Sequence, residues 1–306
     1  AAVQTEPLTG LPVAADGGDG DGGAARRHPV LVLKMDNTAS SAPQVGLGSA
    51  DLVVEELVEG GVTRLAVFYY SDVPGVVGPV RSVRATDLGI VSPVDATLVT
   101  SGAAQQTLAR LARAGIPFVT EGSPGFFREP ARTAPYDLMT DLGDVADVLG
   151  DGREPVRPPD YLPFGRPRDL PEGEPATSFA ARFSPAHTTT WAFRGGRYVD
   201  TGSLAAAGDE FPADTVLVLR VRVRDAGYLD PAGNTVPESR LVGDGEALLF
   251  HGGRLVRGTW SKTTAEAPLV LTWPGAEGEP VALTVPPGRT WTELVPLAGG
   301  VDDITG

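Results

Sequence analysis

The sequence predicts an α/β or α+β N-terminal domain with a mixed sheet, followed by a smaller β-rich C-terminal domain. Up to residue 150, apolar runs typical of strands alternate with patterns typical of helices. Residues 151–185 are rich in proline. The remaining residues form short segments of alternating polarity separated by glycine turns. A length of 306 residues also exceeds what one core usually supports. We therefore expect a flexible segment at 1–29, domains at 30–150 and 186–306, and a proline-rich connector at 151–185.

The N-terminal segment combines a short apolar motif, residues 7–12, with a tract of only Asp and Gly at 16–23. The tract has no apolar area to bury against its ordering entropy, so we expect a mobile loop. Its three acids lack the spacing and the closing Glu of a calcium loop, and we predict no metal there.

Strands and helices alternate in the first predicted domain. Apolar runs indicate strands, while helically spaced apolar residues that end at a Gly and a Pro indicate a helix. The predicted strands are 30–35, 52–57, 65–70 and 117–120, and the predicted helices are 85–91, 103–114 and 142–149. This alternation favours a sheet with helical layers, at least partly parallel.

The second predicted domain is a series of short strands. Glycine pairs at 195–196 and 252–253 are typical of hairpin turns. In the strand 215–224, alternation places three arginines on a solvated face. The predicted strands are 188–193, 197–200, 215–224, 246–251, 254–260, 269–273, 281–285 and 290–295.

Composition argues against several function classes. The net charge of −14 argues against a nucleic-acid partner. The absence of cysteine excludes disulfides, thiolate metal sites and a cysteine nucleophile. No cofactor motif is complete, and no apolar run is long enough to span a bilayer. We interpret His28, His187 and His251 as ordinary surface or turn residues, and we predict neither a cofactor nor a metal.

Acidic residues flank the strand predicted at 52–57. Alternation places Glu55 and Glu56 on opposite faces, so one of them points toward a covered layer. A buried carboxylate needs a partner, and Arg64 is the nearest basic residue across the glycine pair that follows. Glu56 and Asp36 are candidates for catalysis, for orienting arginines or for binding a metal. A purely structural Glu–Arg pair is the alternative.

The loop at 78–84 places Arg81 and Arg84 three residues apart, with Ser82 between them, before a predicted helix. Guanidinium groups and free N–H groups at a helix start bind phosphate, sulfate or carboxylate. We therefore list Arg64, Arg81, Ser82 and Arg84 as candidate ligand-binding residues. Arginines that clamp loops by binding backbone carbonyls are the alternative.

A third cluster lies at 126–137, in a loop too long for a simple connector. Arg128, Arg132 and Tyr136 are candidate ligand contacts there, because long loops often carry binding residues. If this loop folds over Arg81 and Arg84, the two form a pocket with an apolar wall and an anion anchor.

The chain resembles the YerB-like family of bacterial lipoproteins, which have two adjacent domains of unknown function. The matching residues include Met35-Asp36-Asn37, the stretch 56–64 and the Gly-Pro-Val-Arg-Ser-Val-Arg of 78–84. In the second half they are Gly258-Thr259-Trp260 with Lys262, and Gly288 with Thr290, Trp291 and Glu293. Where members of the family usually have Pro-His-Asn, this chain has Pro135-Tyr136-Asp137. If that histidine is a general base in the family, this chain lacks it.

The resemblance implies an exported protein at the bacterial cell envelope, held by an N-terminal lipid anchor outside this sequence. Our leading hypothesis is that the first domain binds an anionic ligand, a glycan or a phosphate-containing molecule. One alternative is an enzyme, since the arginine loop is similar to part of the LytR-CpsA-Psr phosphotransferases that act on envelope glycans. A scaffold for a protein partner is the other alternative.

Overall fold

The structure is a computed structural model that describes residues 4–13, 23–275 and 277–306. Apart from Gly23, the Asp/Gly tract predicted to be a mobile loop lies outside these residues. The helices are α1 (Asp87–Val91), α2 (Gln105–Ala114) and α3 (Leu142–Gly150). The strands are β1 (Val30–Asp36), β2 (Leu52–Leu57), β3 (Thr63–Tyr69), β4 (Val76–Val77), β5 (Ala96–Val99), β6 (Phe118–Val119), β7 (Phe126–Arg128), β8 (Leu138–Asp141), β9 (Glu174–Pro175), β10 (Ser178–Ser184), β11 (His187–Arg194), β12 (Arg197–Asp200), β13 (Thr215–Val221), β14 (Val223–Leu229), β15 (Thr235–Ser239), β16 (Gly243–His251), β17 (Arg254–Lys262), β18 (Val270–Pro274), β19 (Pro280–Ala282), β20 (Thr290–Pro296) and β21 (Gly300–Thr305).

One twelve-stranded mixed sheet runs through both halves of the chain. Its order is β19-β18-β17-β16-β13-β20-β2-β3-β1-β5-β6, with β9 beside β17. The strand β20, near the C-terminus, pairs in parallel with β13 on one side and with β2 on the other. The predicted mixed sheet is confirmed, but it is shared by the two halves.

The first half has less helix than an α/β domain. Its three helices have 5, 10 and 9 residues, and a small sheet of β4, β8 and β7 occupies part of the remaining chain. Glycines and prolines divide the segment from 120 to 137, which prevents further helix formation. The helical layers predicted from the alternation are therefore largely replaced by strands and loops.

A second sheet, with the order β12-β11-β10-β21, packs against the large one. The strand β10 lies inside the predicted connector. Its alternating apolar side chains Phe179, Ala181 and Phe183 are buried. Small residues and flanking prolines made this alternating pattern hard to recognise in the sequence. The Phe179 ring stacks on Phe250 of the large sheet at a centroid distance of 3.6 Å. The connector is therefore shorter than predicted.

The predicted strand 215–224 is divided in two. The strand β13 ends at Val221, and β14 then forms a separate two-stranded sheet with β15. Arg220 donates hydrogen bonds to two backbone carbonyls, while Arg224 binds Glu238. The glycine pairs at 195–196 and 252–253 have positive φ and join antiparallel strands, as predicted.

The described parts of the N-terminal segment are packed against the body of the protein, contrary to the prediction of flexibility for 1–29. Leu8 is only 1% exposed and lies in a core cluster. Thr5 pairs with Pro12, and Glu6 forms an ion pair with Arg26 at 3.0 Å. Burial of Leu8 offsets the conformational entropy that is lost when the described part of this segment becomes ordered.

Because β20 lies at the centre of the shared sheet, we expect both halves to unfold together. Leu294→Ala on β20, where the side chain is 1% exposed, should destabilise the protein by about 2–5 kcal/mol. The control Leu297→Ala, at a 54% exposed position just beyond the strand, should change stability by less than about 0.5 kcal/mol. Urea unfolding followed by tryptophan fluorescence and far-UV circular dichroism should give one coincident transition, and two separated transitions would contradict a shared sheet.

Candidate functional site

Three predicted arginines gather with two acids at one end of the large sheet. We call Arg64, Arg81, Arg84, Asp36 and Glu59 the arginine cluster. The β1–β3 register places Arg64 directly opposite Asp36. Three guanidinium groups against two carboxylates leave one net positive charge, in a chain whose net charge is −14.

Glu59 holds the two buried arginines of the cluster. Arg84 binds both carboxylate oxygens of Glu59, with its Nε 2.8 Å from Oε2, and Arg64 approaches Oε1 at 3.3 Å. Burial lowers the pKa of Arg64 to about 10, and the neighbouring Arg84 adds to this effect. Burial opposes ionisation of Glu59, but the hydrogen bond and charge of Arg84 outweigh it and lower the Glu59 pKa. Both arginines are therefore anchored from within the protein.

Arg81 is the arginine of this cluster with the most accessible side chain. Its Nε lies 2.9 Å from Oδ2 of Asp36, and the side chain is 21% exposed. The Tyr136 ring lies 5.3 Å from the guanidinium carbon, a cation–π distance. Oδ1 of Asp36 accepts the backbone N–H of Thr38 at 2.9 Å. The Arg81 guanidinium is thus held at the surface from two sides.

The arginine cluster lies at the carboxyl end of two parallel strands, β1 and β5. The loop after β5 bonds to the arginine loop, with Ser101 N–H donating to the Arg81 carbonyl at 3.1 Å. The hydroxyls of Ser82 and Ser101 lie 3.0 Å apart. Helix α2 begins soon after, and Ala104 provides no side-chain cap for its first N–H groups. In mixed α/β sheets this edge is where ligands usually bind.

The third predicted cluster contributes Tyr136 to this site, whereas its two arginines are engaged elsewhere. Arg132 donates to the backbone carbonyls of Ser41 and Pro43. Arg128 is exposed and pairs with Glu121 and Asp137. Arg132 thus follows the alternative in which an arginine clamps a loop.

Glu56 is buried away from the surface of the arginine cluster. Its Oε1 lies 2.7 Å from Nζ of Lys34, which also lies 2.7 Å from Oδ1 of Asp87, and all three side chains are fully buried. Arg64, the nearest basic residue in the sequence, is therefore not the partner of this buried carboxylate: Lys34 pairs with Glu56, and Arg64 pairs with Glu59. Burial, together with the adjacent Asp87 charge, raises the pKa of Glu56 to about 7.

A second polar group, which we call the Glu55 cluster, was not predicted. The buried Glu55 carboxylate accepts hydrogen bonds from Asn37, Thr63 and Thr189 and from the indole of Trp291. His187 approaches it through Nε2 at 2.9 Å, so its interpretation as an ordinary turn residue is wrong. Burial opposes protonation of His187, but Glu55 outweighs this and raises the His187 pKa.

Two further acids lie beside the Glu55 cluster. Glu293 faces Glu55 in the parallel register and accepts the Trp191 indole N–H at 2.6 Å. Burial and the Glu55 charge raise the pKa of Glu293 well above its usual range. Burial also raises the pKa of Asp200 to about 6, with Glu55 adding to the shift. The alternation of side chains along β2 predicted that one Glu is buried. It could not predict the partners of that Glu, because β11, β12 and β20 come next to β2 only in the tertiary fold.

The fold and these sites define a class, a two-domain protein whose halves share one mixed sheet. Comparisons give the family. Residues 8–153 match the model described as "Protein of unknown function (DUF3048) N-terminal domain", and residues 178–292 match the corresponding C-terminal domain. The chain therefore belongs to the YerB-like family that carries these two domains.

A relative and a solved structure agree with this assignment. The chain is 36% identical over 96 residues to "Putative lipoprotein YerB" of Bacillus subtilis (strain 168), a match that spans 31% of this chain and 27% of that protein. It is also similar to the crystal structure of the YerB protein from Bacillus subtilis, with a TM-score of 0.76 and 20% identity, over 98% of this chain and 99% of the other. The structural likeness shows the shared fold. No helix within the described residues is long and apolar enough to cross a membrane.

The buried triad of Lys34, Glu56 and Asp87 makes stability depend on pH. Because the folded-state pKa of Glu56 is raised from 4.5 to about 7, its contribution is fully present below about pH 4.5 and is lost as the pH rises through 7. Glu56→Gln removes this titration. We expect wild type to lose up to about 3 kcal/mol relative to Glu56→Gln between pH 5 and 8.

Urea unfolding at several pH values measures this difference. Glu121→Gln, at an exposed carboxylate paired with Arg128, is the matched control and should give parallel curves. A constant difference between wild type and Glu56→Gln across the range would show that Glu56 does not hold the proton.

Proposed function

We propose that this chain is the extracytoplasmic part of an envelope lipoprotein, and that its arginine cluster binds an anionic ligand, a glycan or another molecule that carries phosphate. The observation that carries the proposal is the local excess of one positive charge at one end of the large sheet, where Arg81 is partly exposed, in an acidic protein. Such an exception to the overall charge attracts an anion to one place.

Arg81 is the direct ligand contact in this proposal. Its guanidinium is partly exposed, and one carboxylate, the Pro135 carbonyl and one aromatic ring fix its position. Within the described residues Nη2 has no hydrogen-bond partner, so its N–H groups are available to an oxygen of a phosphate or carboxylate. The hydroxyls of Ser82 and Ser101, on adjacent loops, add neutral donors.

Arg64 and Arg84 act at longer range. They are buried against Glu59 and bind the backbone carbonyls of Ser82 and Val83. Their role is to hold the arginine loop in place and to supply fixed positive charge behind Arg81. A phosphate at Arg81 needs no rearrangement of either side chain, which lowers the ordering cost of binding.

The extracytoplasmic, lipid-anchored location is supported by the Bacillus subtilis relative, whose name is that of a lipoprotein. We expect the full-length gene product to carry a covalent fatty acid. Metabolic labelling with radioactive palmitate, followed by membrane fractionation, measures this directly. A full-length protein that takes up no label would remove the anchor from the proposal.

Arg81→Ala should weaken binding of inorganic phosphate and of a phosphorylated sugar to the full chain. Loss of one charge-assisted contact lowers affinity by about tenfold or more. Isothermal titration calorimetry measures the change. Arg166→Ala is the matched control, since Arg166 is exposed and, among the described residues, has its shortest ion pair with the nearby Asp169 in a remote loop. Equal affinities for wild type and Arg81→Ala would refute the anion site.

Asp36→Asn separates binding from catalysis at the same site. Asp36 competes with an anion for Arg81, so we expect Asp36→Asn to bind phosphate more tightly than wild type does. Phosphorus NMR of the phosphorylated sugar with wild-type protein follows turnover. Release of phosphate that Asp36→Asn abolishes would instead support the phosphotransferase or hydrolase alternative.

A further inference from the structure

A polar cleft lies between the large sheet and the four-stranded sheet, outside the arginine cluster. It has a volume of about 280 Å³, and His187, Asn37 and Asp200 line it. A neighbouring cleft of about 600 Å³ shares Asn37 and Asp200 with the first. Small-molecule sites commonly enclose about 300–1,000 Å³, so the two clefts together have the size of such a site.

His187 lines this cleft, and its side chain is 19% exposed. Its Nε2 lies 2.9 Å from Oε1 of Glu55, a carboxylate that accepts several hydrogen bonds. Glu55 places a proton on Nε2 and, because it raises the His187 pKa, favours the protonated ring, in which Nδ1 is also a donor. Nδ1 makes no hydrogen bond to any part of the chain that the structure describes. This nitrogen is therefore an unused donor at the cleft.

Asp200 supplies an acceptor on the same wall. It is the last residue of β12, and its Oδ1 accepts the Gly202 N–H at 2.8 Å. Within the described residues, Oδ2 has no hydrogen-bond partner. Asn37 between the clefts is already bonded to Glu55, Thr63 and Gln44, so its position is fixed. The wall is therefore preorganised and offers one unused donor, on His187, and one unused acceptor, on Asp200.

The charge of this wall selects the ligand class. Asp200 lies on it and the Glu55 carboxylate lies behind it, so a phosphate or carboxylate next to them would be repelled. Arg194 and Arg197 line the neighbouring cleft but not this one. Hydroxyl groups of a sugar match such a wall, because each one can donate to a carboxylate and accept from an N–H group or a threonine hydroxyl. Thr38 and Thr188 line the same cleft. We propose that this cleft binds a neutral saccharide whose hydroxyl groups accept from Nδ1–H of His187 and donate to the carboxylate of Asp200.

NMR of the full chain labelled with [¹⁵N]histidine tests this proposal, since the protein has only three histidines. The probes are cellotriose, maltotriose and chitotriose. We expect at least one of them to move the His187 Nδ1 resonance saturably, and Asp200→Ala to weaken that binding about tenfold or more. His251→Gln is the matched control, because His251 bonds to Thr215 away from the cleft, and it should bind as wild type does.

Three outcomes overturn the proposal. They are no shift of the His187 resonance with any probe up to about 10 mM, unchanged affinity in both Asp200→Ala and His187→Gln, or a shift of that resonance by inorganic phosphate. If His187→Gln does not fold, the wild-type titration and the more conservative Asp200→Asn still decide. Saccharide binding without any phosphate binding at Arg81 would refute only the anion site, since the two sites are tested separately.

Discussion

The parallel pairing of β20 with β2 is the constraint on which the rest of the structure depends. It places a strand from near the C-terminus in the middle of a sheet whose first strand along the chain is β1. Once β20 lies there, Glu55 and Glu293 are direct neighbours across the sheet. Their burial requires donors from other elements, which the two tryptophan indoles, the threonines and His187 supply. The four-stranded sheet that carries His187 is thereby tied to the large one.

Buried carboxylates in this acidic chain are paired with donors from neighbouring strands and loops. Four carboxylates show three different kinds of partner: one lysine pairs with Glu56 and Asp87, two arginines pair with Glu59, and mainly neutral donors bind Glu55. An unpaired buried charge lowers the stability of the fold. Each set of partners therefore holds together the strands and loops that supply it. The arginine cluster ends with an excess of one positive charge and has a partly accessible guanidinium in Arg81.

The sequence predicted local features well and long-range ones poorly. Strand β2 and the end of α2 at Gly115 follow from apolar spacing and a glycine cap, which are properties of neighbouring residues. The pairing of β20 with β2 joins residues more than 200 positions apart, and no local pattern encodes such a pairing. The same limit explains the site: Arg81 and Ser82 were found because they share a loop, whereas Glu55 and His187 meet only through the tertiary fold.

The short turn after β1 connects the two proposed sites. Asp36 pairs with Arg81 on one side, while the next residue, Asn37, bonds to Glu55 on the other. The two proposed sites are therefore separated by two consecutive residues at the end of β1, one site carrying the arginine cluster and the other lined by His187 and Asp200. If both proposals hold, one elongated glycan with an anionic group at one end would contact both sites. Joint occupancy would link the two halves of the chain through a ligand at the place where the shared sheet already joins them.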